Sequence, residues 1–251
     1  TTGTQNTACG AYSVRDTTTG NNNVGVGYAA LLLNTTGAGN TAIGANALDV
    51  NTTADNNTAT GLFSLSANTT GGYNSAFGAY SLSLNTTANY NTALGYSTLE
   101  QNTTGGSNTA VGYKALEANT TASENTAVGN DALKLNTTGA SNVAVGTYTL
   151  DANTTGSTNT GLGRSALSAN TTASDNTAVG YYSLYANTTG YHNTAVGANA
   201  LDANTSGDDN TAVGTQALTE STGDDNTAVG SSALAANTTG SYNTAIGRQA
   251  L

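Results

Sequence analysis

Apolar and polar positions follow one fixed order that returns at every seventeenth position along the chain, as from Gly112 to Gly129. The consensus unit reads N-T-A-V-G-x-x-A-L-x-A-N-T-T-G-x-x, and its slots are numbered here from the first glycine, with Val at slot −1 and Leu at slot +4. Slots −2 and +3, which precede these two apolar slots, hold only small residues. A period this short cannot hold a helix pair or a propeller blade, so it predicts one coil of a parallel β-solenoid or β-roll.

The two bulky columns predict the core. Slot −1 is mostly β-branched, which is typical of a buried strand, and slot +4 is Leu in every unit except the first, which has Val14. We expect both columns to stack into one apolar spine. Because each coil supplies so little apolar surface, we also expect parallel copies of the chain to share a core. The small-residue columns, with Ala127 as an example, are then predicted to lie near that shared interface.

Two columns of asparagine accompany the apolar columns, at slots −4 and +7. Stacked asparagines in register can form hydrogen-bonded ladders along the axis, and they also suit turns. The N-T-T run also fits the sequon for N-glycosylation, although glycans on adjacent coils would be only about 4.8 Å apart. The unit from Gly214 to Gly230 is one residue short within this run, which marks the run as the loop.

We expect one elongated repeat domain over residues 1–251, with 15 copies of the unit, one of them shorter than the others by a single residue. At about 4.8 Å per coil this predicts a rod roughly 70 Å long. The chain contains no Met and starts and stops inside the repeat pattern, so we interpret it as a fragment of a longer fibre.

Composition narrows the functional classes. Five basic residues against fifteen acidic ones give a net charge of −10, which argues against nucleic acid as a partner. No run of about 18 apolar residues occurs, so no membrane span is predicted in this segment. Cys9 occupies slot −1 and is expected to be a small buried thiol, and a single cysteine excludes a disulfide framework.

No catalytic constellation is recognisable, since the only histidine, His192, cannot build a triad or a zinc site alone. We expect no enzyme activity and no cofactor. Two groups of side chains are candidate sites. The first holds four carboxylates in consecutive coils, which could bind Ca²⁺ or form a solvated acidic patch: Asp208, Asp209, Asp224 and Asp225. The second gathers rings that could contact sugar or protein, or could be surface variation alone: Tyr181, Tyr182, Tyr185, Tyr191 and His192.

The run A-[VI]-G-x-x-[AS]-L resembles the YadA-like head repeats of trimeric autotransporter adhesins, and still more the N-T-A-[VI]-G-Y-x-A-L repeats of phage tail-fibre-type proteins. Residues 110–116, Ala-Val-Gly-Tyr-Lys-Ala-Leu, show the pattern clearly. The resemblance covers the whole chain, and it implies a left-handed parallel β-roll, three parallel chains and a role in attachment. The YadA-like unit is shorter than the unit of this chain, so the geometry of the N-T-T-G turn cannot be transferred.

These observations favour an extracellular structural and adhesive fibre segment, at a cell surface or on a virion, that spaces and presents binding sites. The expected partners are further copies of the chain, as a parallel homotrimer, and a glycan or protein of a host-cell surface. The alternative is an ice-binding β-solenoid, because Thr columns such as Thr109, Thr126 and Thr177 run along the axis. Against this alternative, the flanking pattern is T-A-V, which does not place two Thr on one outward face.

Overall fold

The structure, a computed structural model, describes residues 2–251. The chain divides into two compact units, Thr1–Asn125 and Thr126–Leu251. Residues 2–251 form short strands, turns and bends, and none of them lies in a helix. Each unit is an all-β parallel solenoid in which one coil takes up one sequence repeat, and this confirms the fold class expected from the period.

Every coil contributes one strand of three residues, at slots −3 to −1. The strands of the first unit are β1 (Thr7–Cys9), β2 (Val24–Val26), β3 (Thr41–Ile43), β4 (Thr58–Thr60), β5 (Ser75–Phe77), β6 (Thr92–Leu94) and β7 (Thr109–Val111). Those of the second unit are β8 (Thr126–Val128), β9 (Val143–Val145), β10 (Thr160–Leu162), β11 (Thr177–Val179), β12 (Thr194–Val196), β13 (Thr211–Val213), β14 (Thr227–Val229) and β15 (Thr244–Ile246).

Within each unit the strands pair in parallel and in chain order, so that each coil stacks on the next. The register places identical slots side by side, as in the pairing of Ala42 with Ala59. Strands β13 and β14 keep this register across the shortened unit, where Ala212 pairs with Ala228. The missing residue therefore lies outside the strands, which confirms that the N-T-T-G run is the loop.

The strands point their middle residue inward and their outer two residues outward. The small residue at slot −2 is buried, whereas the bulky residue at slot −1 is 42% exposed at Ile43 and 49% exposed at Leu94. The predicted burial of slot −1 was therefore wrong, and Cys9, in the same slot, is exposed. The predicted position of the small column was wrong as well, because Ala127 is fully buried within the single chain.

The interior of the coil has little free space at slot −2, and at Gly161 it does not admit even the methyl group of Ala. A methyl group added to Gly161 would overlap Thr149 Cγ2 at 2.6 Å and would lie 3.5 Å from Leu150 Cδ1. Slots +3 and +4 of the preceding coil thus already fill the space behind the strand. A β-branched residue fits only on the outer side, which is why the bulky and small residues keep their separate slots.

The Leu column at slot +4 is buried as expected, and its backbone conformation explains the choice of Leu. Residues at slots +2 and +4 have positive φ in every coil, for example 56° at Lys114 and 53° at Leu116. The N–H groups of slot +2 donate to carbonyls of the preceding coil, and those of slot +4 donate to carbonyls of the following coil. Leu31, for example, donates to the Ala47 carbonyl of the following coil at 3.0 Å. β-branched residues fit this left-handed region poorly, so Leu fills the slot where Val or Ile would be strained.

Both asparagine columns form buried ladders, which confirms that prediction. At slot +7, Asn85 Nδ2 donates to Asn68 Oδ1 at 2.8 Å, and Asn102 Nδ2 donates to Asn85 Oδ1 at 3.0 Å. At slot −4, Asn74 Nδ2 donates to the Ala88 carbonyl at 2.8 Å, and this carbonyl also accepts from Asn85 Nδ2 at 3.2 Å. The loop carbonyl at slot +10 therefore joins the two ladders, and the sequon nitrogens lie inside the folded coil.

A further column ties the loops together at slot +8. The Thr35 backbone N–H and the Thr35 hydroxyl both donate to the Thr52 carbonyl of the next coil, at 2.9 Å each. The backbone N–H of Thr36 donates to the same oxygen at 3.1 Å. One carbonyl thus accepts three donors, which leaves the slot +8 threonines occupied with holding adjacent coils together.

Candidate functional site

One candidate surface is the outward face of the strands, defined here as the strand face and formed by slots −3 and −1. In the second unit, three consecutive strands place Val196, Val213 and Val229 at slot −1, each 37% exposed. The Thr residues of slot −3 lie beside them on the same face, partly exposed. A continuous exposed apolar column is unusual on a single chain and is typical of a surface that binds a partner.

The tyrosines and the histidine predicted as one site form two separate groups. Tyr181, Tyr182 and Tyr185 follow the end of β11, and their rings contact in sequence at centroid distances of 4.3 Å and 4.6 Å. Tyr191 and His192 precede the start of β12 and contact each other at 5.0 Å. Since the strands are parallel, the two groups lie at opposite edges of the sheet.

The predicted carboxylates also fall into two columns, and the first has a structural role. Asp208 Oδ1 accepts the backbone N–H of Tyr191 at 3.0 Å, and Asp224 Oδ1 accepts the backbone N–H of Asp208 at 3.0 Å. Asn89 and Ser123 do the same in the first unit, for Gly72 and Gly106. Short polar side chains at slot +11 thus cap a backbone donor of the preceding coil.

The second carboxylate column, at slot +12, surrounds the histidine. His192 Nδ1 lies 3.3 Å from Asp209 Oδ1, and His192 Nε2 lies 3.9 Å from Asp175 Oδ2. Asp209 and Asp225 are exposed. Within residues 2–251, no group of three or more His, Cys, Asp or Glu side chains is arranged to hold a metal ion. The calcium interpretation of the four aspartates stays a prediction.

The acidic side chains perturb one neighbouring tyrosine. The charge of the Asp208 carboxylate and its hydrogen bond to the phenol raise the pKa of Tyr191 above its ordinary value. Asp209 and Asp224 act in the same direction from farther away.

Sequence reasoning missed a longer run of aromatic rings in the first unit. Phe63 stacks on Tyr80 at 5.7 Å, Tyr80 meets Tyr96 edge to face at 5.9 Å, and Tyr96 stacks on Tyr113 at 5.7 Å. The four rings come from consecutive coils, the first two from slot +2 and the last two from slot +1. The run is not evident from the sequence, because its rings change from slot +2 to slot +1 and each of these slots contains only two of them.

A groove of about 320 Å³ lies against the first two rings of this run. Six residues line it: Phe63, Ser66, Tyr80, Ser83, Leu84 and Glu100. Its walls are apolar and aromatic, and a single carboxylate lies among its lining side chains. This combination of apolar surface with one charged group is typical of small-ligand sites.

Comparison with protein-family models, curated proteins and solved structures gives no match for this chain. In the part of the chain that the structure describes, no helix is long and apolar enough to cross a membrane. Function must therefore be argued from the surfaces themselves.

Proposed function

We propose that this chain is a structural and adhesive fibre segment that assembles with parallel copies of itself and presents binding sites at regular intervals. The observation that carries the proposal is the strand face, whose apolar column is exposed in the single chain at coil after coil. Water contact with such a column is unfavourable at about 25 cal/mol per Å². A second copy laid alongside removes that contact, and the identical spacing of the coils lets the two columns match.

The corrected position of the bulky residues changes how assembly is expected to work. The interior of each coil is closed by Ala and Leu, so copies need not share that interior. They would instead meet through slot −1, with the Thr of slot −3 at the rim. Three parallel chains and a left-handed coil remain our proposal, on the resemblance of the A-[VI]-G-x-x-[AS]-L run to trimeric adhesin repeats.

Attachment is proposed for the slots that vary from coil to coil. Slots +1, +2, +11 and +12 carry rings and acids of different kinds on a backbone that repeats strictly. Each surface patch recurs in every copy of an assembly, so weak single contacts add up to avidity. A host-cell glycan or protein, met outside the cell that made the fibre, is the partner we propose for them.

The test compares charge placed on the strand face with charge placed elsewhere. The triple variant Val179→Glu, Val196→Glu and Val213→Glu is expected to be monomeric by light scattering at concentrations where the parent is oligomeric. The control triple places Glu at exposed loop slots, at Thr155, Thr172 and Thr189. A parent that is monomeric at high concentration, or two variants with the same mass as the parent, would refute assembly through this face.

Ice binding is the second candidate, and one observation favours it. Most coils carry one Thr at slot −3 on the outward strand face, so these residues form a single column at the spacing of the coils. Thermal hysteresis by the parent chain, abolished when Thr177, Thr194 and Thr211 are replaced by Asn, would support this candidate. Absence of hysteresis in a folded monomer would exclude it.

A further inference from the structure

The groove beside Phe63 and Tyr80 combines two aromatic rings with the acidic residue Glu100. We propose that it binds a basic side chain of a partner peptide, an arginine or lysine whose stem lies on the rings and whose head meets Glu100. This inference goes beyond assembly and attachment, because it assigns a defined pocket and a ligand chemistry. It requires neither the trimer nor the adhesive role.

The chain itself shows how such a cation sits. The coil that starts at Gly112 holds Tyr113 at slot +1, Lys114 at slot +2 and Glu117 at slot +5. Lys114 Nζ lies 5.7 Å from the centre of the Tyr113 ring and 2.8 Å from Glu117 Oε1. The ring and the carboxylate thus hold one ammonium group between them.

The preceding coil repeats this arrangement with one part missing. Tyr96 occupies slot +1 and Glu100 occupies slot +5, but slot +2 holds Ser97 in place of lysine. Among residues 2–251, Glu100 has no ion pair, and it is one of the residues that line the groove. The Tyr96 ring meets the ring of Tyr80, a lining residue of the groove, at 5.9 Å. Rings and an acid are therefore present here, and the positive charge has to come from outside the chain.

The rest of the chain supports a basic ligand in two ways. Three of its five basic residues lie over tyrosine rings, at Arg15, Lys114 and Arg164. Stacking on an exposed ring is thus the common arrangement for a cation on this surface. The net charge of −10 also attracts basic peptides and repels acidic ones over a Debye length.

A basic side chain fits the walls of the groove better than a free inorganic cation does. Phe63, Tyr80 and Leu84 offer apolar contact for a methylene stem, and Glu100, which lines the same groove, can meet the charged head. The hydroxyls of Ser66 and Ser83 can accept further hydrogen bonds from a guanidinium. A bare metal ion could use the carboxylate and the two hydroxyls, but it would gain nothing from the apolar contact with the rings and Leu84.

The chain contains only two phenylalanines, which makes the site directly observable. Phe63 lines the groove, and Phe77 lies at slot −1 on the strand face, where it serves as an internal control. The full chain, labelled at phenylalanine with ¹⁹F or ¹³C, is titrated with N-acetyl-arginine methylamide and separately with the neutral citrulline analogue. We expect a saturable shift at Phe63 with the arginine probe alone, no shift at Phe77, and weaker binding at high salt.

Five variants test the individual parts. Glu100→Gln should raise the apparent dissociation constant up to about fivefold, and Tyr80→Leu by a similar factor. Glu117→Gln, in the same slot one coil later, should leave it unchanged. Ser97→Lys should abolish the saturable shift, because the chain then supplies its own cation, whereas the uncharged Ser97→Gln should not.

Three outcomes would overturn the proposal. Equal shifts with arginine and citrulline would mean that charge is not recognised. Equal effects of Glu100→Gln and Glu117→Gln would mean a general electrostatic attraction and no defined site. A shift of Phe63 with a neutral oligosaccharide but not with arginine would assign the rings to carbohydrate. Each variant is first checked for parental melting, so that loss of binding cannot be attributed to unfolding.

Discussion

Replacing one asparagine of the buried ladder with alanine should destabilise the solenoid far more than an alanine substitution at an exposed position of the same coil. Asn85 is fully buried and takes part in three hydrogen bonds, to Asn68, to the Ala88 carbonyl and from Asn102. In Asn85→Ala, the Oδ1 atom of Asn68 loses its donor. The other two groups keep one partner each, because the Ala88 carbonyl still accepts from slot −4 and Asn102 still donates to Gly105.

The expected loss of stability in Asn85→Ala follows from these hydrogen bonds. One buried acceptor left without a donor costs about 1–3 kcal/mol, and the loss of a net hydrogen bond elsewhere adds about 1 kcal/mol. We therefore expect Asn85→Ala to lower the free energy of unfolding by about 2–4 kcal/mol. Asn85→Asp should cost more, because a carboxylate would then face the Asn68 oxygen and the Ala88 carbonyl without a proton to donate.

The assay is urea unfolding monitored by circular dichroism, and amide hydrogen exchange locates the coils that lose stability. Coils interact mainly with their neighbours, so reduced protection should centre on the coils next to Asn85. The matched control is Thr87→Ala in the same coil, since Thr87 is exposed. If the two alanine variants were equally stable, the ladder would not contribute to stability in the way we infer.

Three further predictions concern the backbone and one buried charge. Leu116→Ile keeps the apolar volume but places a β-branched residue at φ 53°, so the melting curve should show a loss of about 2 kcal/mol. Gly95→Ala should cost at least about 2 kcal/mol by the same measurement, because φ is 141° and the new methyl would overlap the Gly112 carbonyl; parental stability would contradict this. Burial raises the pKa of Asp49, so its charge opposes folding once the pH exceeds the unfolded value. Asp49→Asn should therefore raise the melting temperature at pH 7 and have little effect at pH 3, whereas Asp225→Asn, at an exposed site, should change neither.

The period alone was enough to predict parallel coils in register, the buried Leu column and the asparagine ladders. An in-register stack brings identical residues together, and each of these columns tolerates only one kind of neighbour. The direction of the strand side chains could not be predicted in the same way. Slot −2 accepts only small residues and slot −1 mostly bulky apolar ones, so the sequence does not show which of the two points inward. The space that Thr149 and Leu150 leave behind Gly161 decides this, and that space is a property of the folded coil.

The residue types of the candidate sites could be predicted from the sequence, but which of these residues lie together could not. Rings and acids in variable slots could be recognised from the sequence, but Tyr182 and Tyr191 lie at opposite ends of the strands. The role of Asp208 and Asp224 as backbone caps depends on the distance between coils, which composition does not give. The run from Phe63 to Tyr113 crosses two slots, so it emerges only when consecutive coils are stacked in space.

The buried ladder also bears on where this chain can be made. A glycan is attached to the side-chain nitrogen of a sequon asparagine, and in this solenoid that nitrogen is enclosed and bonded to the next coil. Transfer of a sugar to an emerging chain would therefore remove a ladder contact and prevent two coils from closing on each other. Production in a eukaryotic secretory pathway should yield misfolded, heterogeneous material, whereas a host that does not glycosylate asparagine should yield the ordered solenoid. The repeated N-T-T run thus makes the folding of this chain depend on the compartment in which it is synthesised.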